Sequence, residues 1–131
     1  MGAIELKRVI AVLSLLLLLA ACGNGYHEEI RESFAKDTEE IKDLTIEVIE
    51  DEREFTDEEQ EKIDSYVRKY DENLDSSDEA HAYLLTRNLI ENQSSSLLPS
   101  EIENIIDNAD NIRVTLEGGF EAYKEANKEE D

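Results

Sequence analysis

The chain has one cysteine, one proline, no tryptophan, two histidines and only 13 basic residues. Each scarcity excludes something. A single cysteine forms neither an intramolecular disulfide nor a cysteine-based zinc site, since both need at least two. Thirteen Lys and Arg against 34 Asp and Glu leave a formal charge of −21. A surface of that sign repels phosphates, so nucleic acid is excluded as a partner. A nucleophile needs a base in reach, and only His27 and His81 could serve. His81 is expected on the surface, one or two residues off the face carrying Tyr83 and Leu84. No Gly-x-Ser-x-Gly, His-Glu-x-x-His or glycine-rich phosphate loop occurs. Close carboxylate pairs are abundant, but at this acid content they arise by chance, and a glycosidase needs two acids facing each other across a cleft. A calcium loop starting at Asp71 fails twice. Ser76 stands where the turn glycine belongs, and Ala82 where the bidentate Glu belongs. No enzyme, cofactor or specific metal site is expected. Divalent cations are expected to associate only weakly and diffusely with the acidic surface.

Long apolar runs are also missing, with one exception. Lys7 and Arg8 precede an unbroken stretch from Val9 to Ala21, interrupted only by Ser14. It is too short for a membrane-spanning helix, which needs about 20 apolar residues. A basic start, a short apolar stretch and small residues are instead the build of a secretory signal peptide.

The stretch ends in Leu19-Ala20-Ala21-Cys22, which resembles the lipobox of bacterial lipoproteins. Leu19 occupies the branched apolar position, Ala20 and Ala21 the small ones, and Cys22 the acceptor. The resemblance implies a diacylglyceryl group on the Cys22 thiol and cleavage between Ala21 and Cys22. It covers residues 1 to about 25 and leaves the family of the remaining chain unassigned. Two acyl chains anchor a protein firmly where one is marginal. The implied location is the extracytoplasmic face of the cell membrane. Gly23 follows Cys22, not the Asp that resembles an inner-membrane retention signal. The start Cys-Gly-Asn is similar to many Gram-positive lipoproteins, and in a Gram-negative cell the outer membrane is implied.

Without residues 1–21, the remaining 110 residues hold 33 acids and 11 bases, a net charge of −22. Such charge with little apolar content leans toward disorder, so pattern has to decide. The pattern is helical nearly throughout. Ile63, Tyr66, Val67, Tyr70 and Leu74 form one helical stripe, opened by a capping box from Thr56 to Glu59. Ser76 or Ser77 caps a third segment whose stripe is Ala80, Tyr83, Leu84, Arg87 and Ile90, widened by Leu85 and Leu89. The fourth opens at Pro99-Ser100-Glu101, and its stripe runs from Ile102 to Tyr123 in register across Gly118-Gly119. The first, with Tyr26, Ile30, Phe34, Ile41, Leu44, Val48 and Ile49, is diluted by Asp37 and Thr38.

Short connections make consecutive helices antiparallel neighbours. The expected fold is all-α, a small up-down bundle of four helices at 26–52, 56–74, 77–93 and 100–127, with three helices as the alternative. Residues 22–25 form a short tether, 26–128 the domain and 129–131 a disordered tail.

A helix starting at Tyr26 would carry the chain roughly 40 Å outward from the anchor. The acidic first turn would then point away from the membrane, beside a neutral third turn carrying Leu97 and Leu98. The turn at 74–77 and the C-terminus would sit at the near end. The candidate partner surface is Glu50, Asp51, Glu52, Glu54, Asp57 and Glu58 with Leu97 and Leu98. One of the two leucines is expected to pack over Ile102. The expected function is a lipid-anchored, non-enzymatic protein-interaction module whose acidity favours a basic partner. The alternative is a cation or small-ligand binder of the cell envelope.

Overall fold

The structure, a computed structural model, describes residues 25–128. The signal segment, Cys22 and the tail at 129–131 lie outside the described residues. Four helices and no strand make up the described chain: α1 (Glu32–Glu50), α2 (Asp57–Tyr70), α3 (Ser77–Glu91) and α4 (Pro99–Ala126). The fold is the small all-α bundle. None of its helices is long and apolar enough to cross a membrane.

Helix α1 is central, packing on α2, α3 and α4, while α3 and α4 share the most extensive contact. Small side chains contribute to it. Ala82, Thr86, Ala109 and Thr115 are buried on the α3 and α4 faces, and small side chains let backbones approach. Helix α2 meets α1 instead, with Tyr70 edge-on to Phe34 at 5.0 Å. It reaches α3 through tyrosine rings, Tyr66 lying 5.8 Å from Tyr83.

Four threonines, Thr38, Thr45, Thr86 and Thr115, are fully buried. A buried hydroxyl without a partner is costly. Thr45, Thr86 and Thr115 each donate to the carbonyl four residues back, and Thr38 shares a 2.8 Å bond with the Tyr66 hydroxyl. Thr38 therefore continues the α1 stripe. Asp37 lines its edge, accepting from Lys69 at 2.9 Å and from the Tyr70 hydroxyl. The helix is unbroken, and the three-helix alternative is overturned.

Several local signals hold. Thr56 accepts from Glu59 N while Glu59 accepts from Thr56 N, the full capping box. Ser76 caps α3. At α4 the start is one residue earlier than expected. Leu98 is the cap position, Pro99 takes the first turn, where its missing N–H costs nothing, and Glu101 accepts from Leu98 N.

Three expectations are corrected. First, α1 begins at Glu32, not Tyr26. Residues 26–31 form a strap with Ile30 buried and Tyr26 half-buried, because His27 N, Glu29 O and Arg31 N bond to other elements and not within a helix of their own.

Second, the buried face of α3 is Glu79, Ala82, Tyr83, Thr86 and Leu89, rotated by about one position from the expected stripe. Leu84 is 62% exposed. Burial of Glu79 fixes this rotation.

Third, the α4 stripe does not continue through the glycine pair. Gly119 has φ 76° and ψ −175°, outside the helical region. Beyond it the chain doubles back. Asn127 Nδ2 donates to Asn111 Oδ1 at 2.9 Å, although 16 residues of straight helix span about 24 Å. The C-terminal segment thus returns along α4 and does not mark the near end of the bundle.

Candidate functional site

The strap is held by a buried carboxylate. Glu79 is fully buried and accepts from the Arg31 guanidinium at 2.9 and 3.0 Å, from Arg31 N at 2.8 Å and from Asp75 N at 2.9 Å. Burial alone would raise its pKa. The side-chain hydrogen bond from Arg31 and the two backbone N–H bonds outweigh burial and hold it below the ordinary carboxylate range. Arg31 also donates to Asn73 O and pairs with Asp75 at 3.1 Å. Ser76 Oγ donates to Glu29 O, and His27 N to Leu116 O. The strap, the 71–76 turn and the middle of α4 are therefore one unit, and its strap lies four to nine residues after Cys22. Arg31 and Glu79 are 48 positions apart, so no local pattern pairs them. The Ser76-x-x-Glu79 spacing was the one available signal.

The Gly119 reversal belongs to the same end. A Cβ there would meet Asp78 Oδ1 and His27 Cδ2 at 3.0 Å, and Phe120 N donates to Asp78 Oδ1 at 2.7 Å. A Cβ on Gly118 would lie 2.4 Å from that of Ala122. The pair of glycines is a built turn.

His81 is not a surface residue. Its ring lies 4.6 Å from Phe120 and 4.3 Å from Tyr123, brought there by the reversal. Its Nε2 is buried with no partner among the described residues. Burial lowers its pKa, with Asp78 opposing. A depressed folded pKa means the unfolded chain takes up the proton first as pH falls. The stabilisation is whole above about pH 6.5 and declines as pH drops toward the folded value. Urea midpoints at pH 7.5 and 5.5 should therefore differ more for the wild type than for His81→Phe.

The opposite end carries the candidate partner surface. Gln93 Nε2 donates to Arg53 O at 2.6 Å, and Ser95 N to Glu54 Oε1 at 3.2 Å. These bonds tie the acidic α1–α2 turn to the α3–α4 loop. Glu50, Asp51, Glu52, Glu54, Asp57, Glu58 and Leu98 are all exposed at this end, Leu98 by 61%. Leu97 is half-buried and, like Ile102, packs against the core. It is the structural leucine of the two.

The one cation of the turn is already used. Arg53 pairs with Glu59 at 2.7 Å, and the Glu59 carboxyl falls to about 2, chiefly through that bond and then through Thr56 N–H. Glu50, Glu52, Asp57 and Glu58 have no ion pair among the described residues.

The α1 terminus is a Schellman motif. Arg53 N bonds Val48 O, and Glu52 N bonds Ile49 O. Glycine normally occupies the left-handed position of this motif, yet here it is Glu52, at φ 52°. Among the described residues no group of three or more His, Cys, Asp or Glu is placed to hold a metal ion. No protein-family model, curated protein or solved structure matches the chain.

Proposed function

We propose that the chain is a lipid-anchored, non-enzymatic interaction module on the extracytoplasmic face of a membrane, presenting its acidic end to a basic protein partner. The observation that carries the reading is Leu19-Ala20-Ala21-Cys22, at the end of a short apolar stretch with basic residues before it. Three features support it. Only Gly23, Asn24 and Gly25 lie between the acceptor cysteine and the strap, so a lipid on Cys22 holds the start of the strap at Tyr26 within about 10 Å of the headgroups. Helix α1, 19 residues long, then sets the acidic end about 28 Å farther out. This is shorter than a helix begun at Tyr26 would give. At that distance, beyond the Debye length of about 8 Å, an anionic leaflet no longer repels the acids.

Glu52 is the third support. A side chain held in left-handed backbone costs about 1 kcal/mol relative to glycine, and strain of this kind collects at functional positions. Glu52→Gly should raise stability by about that amount while weakening partner capture. The test is photo-crosslinking in intact cells from position 52 or 98, compared with position 110 on the side of the bundle. A discrete adduct from the acidic end alone, lost in Cys22→Ser, is expected. Identical patterns from all three positions, or no adduct under any growth condition, would refute the reading.

A further inference from the structure

The chain is 36% charged, yet one groove has no charge in its lining. It lies between α3 and α4, has a volume of about 280 Å³, and carries Asn88, Asn92, Asn108 and Asn111 on its walls, with Tyr123 closing it. The buried Leu89 and Ala109 contribute its apolar floor. The side-chain amides of Asn88, Asn92 and Asn108 and the Tyr123 hydroxyl have no hydrogen bond among the described residues. Asn111 uses only its oxygen, for Asn127. Tyr123 arrives here because the chain reverses at Gly119, and its ring stacks on Phe120 at 5.9 Å.

Another groove of similar size, about 300 Å³ between α1 and α2, is different in kind. Its lysines are occupied, Lys69 by Asp37 at 2.9 Å and Lys62 by Glu40 at 3.8 Å. Its polar groups are largely matched from within, whereas those of the amide groove are open.

We propose that the α3–α4 groove binds a small uncharged saccharide bearing an acetamido group. The chemistry selects this class step by step. A wall without charge gives an ion nothing to pair with. Each Asn offers two donors and an acceptor, which suits a ligand rich in both, such as a ring of hydroxyls. The acetamido amide matches an Asn amide donor for acceptor, and its methyl suits the apolar floor. The Tyr123 hydroxyl adds a further donor and acceptor for a sugar hydroxyl. An extended peptide fits less well, because its polar groups recur along about 3.3 Å per residue and the groove is at the small end for ligand sites. The inference is independent of the acidic end and of the lipid.

The test is a titration of the full chain in detergent micelles with methyl N-acetyl-β-glucosaminide, followed by NMR of the Asn side-chain amides. Saturable shifts of the Asn88, Asn92, Asn108 and Asn111 amides are expected, with a dissociation constant on the order of 1 mM for so small a ligand. Asn88→Ala with Asn108→Ala should weaken binding at least about tenfold. Alanine is the better helix former at both exposed positions, and unchanged backbone shifts elsewhere will show the fold intact. Non-saturating shifts to several tens of millimolar would overturn the proposal. So would an unaltered response in the double variant, an equal response to methyl β-glucoside, or a response to acetyl-trialanine amide in place of the sugar.

Discussion

Arg31→Ala should destabilise the protein by about 3–5 kcal/mol, the cost of leaving a buried charge without its partner. Glu79 is fully buried, and its guanidinium bonds supply the only cation it touches among the described residues. A small domain has about 5–15 kcal/mol in all, and self-repulsion at this net charge lowers that further, so the variant should be largely unfolded at moderate urea. Arg31→Met combined with Glu79→Leu should be more stable than Arg31→Ala alone, because no charge is then stranded.

The pH dependence has a definite sign. The Glu79 pKa is depressed on folding. The stabilisation from its pairing is therefore fully present above about pH 4.5 and is lost as pH falls through the folded value. Urea denaturation of the two variants and the wild type, across pH 3 to 7, measures both effects.

Gly119→Ala should cost about 2–4 kcal/mol. Of this, 1–3 comes from forcing a side chain into a backbone region open essentially to glycine alone. The remainder comes from pushing back Asp78 and His27, which stand 3.0 Å from the new Cβ. The loss should be local before it is global. Phe120 N–H, bonded to Asp78, should lose hydrogen-exchange protection first, and the Tyr123 ring should leave His81. Gly25→Ala is the control. It also has positive φ, at 82°, but nothing lies within 4 Å of its Cβ. Its cost should be about 1 kcal/mol, without loss of protection at Phe120.

The helices were readable because their apolar residues repeat at 3.6 and their starts carry Thr56-x-x-Glu59, Ser76 and Pro99. These are local signals, and local chemistry decided them. The strap was not readable. Tyr26 and Ile30 fall in phase with Phe34, but the bonds that pull the strap out of the helix come from Glu79, Ser76 and Leu116, all more than 40 positions away. Thr38 looked like a defect because periodicity scores a hydroxyl as polar, whereas the Tyr66 hydroxyl satisfies it inside the core.

The glycine reversal was hidden by coincidence. Phe120 and Tyr123 lie at helical spacing from Leu116, so the stripe looks continuous whether or not the chain turns. Of the candidate surface, the acidic run was visible directly. Its meeting with Leu98 followed from up-down topology, and the strain at Glu52 was not visible at all.

The proposed membrane anchor rests on Cys22. Its most direct test is the intact mass of the protein recovered from the membrane fraction of cells expressing the full chain. The expected species is the 110-residue chain beginning at Cys22 with a diacylglyceryl group on its first residue, and Cys22→Ser should yield only the uncleaved, unacylated 131-residue precursor. An unacylated wild-type chain, or a Cys22→Ser chain cleaved and retained in the membrane like the wild type, would contradict it.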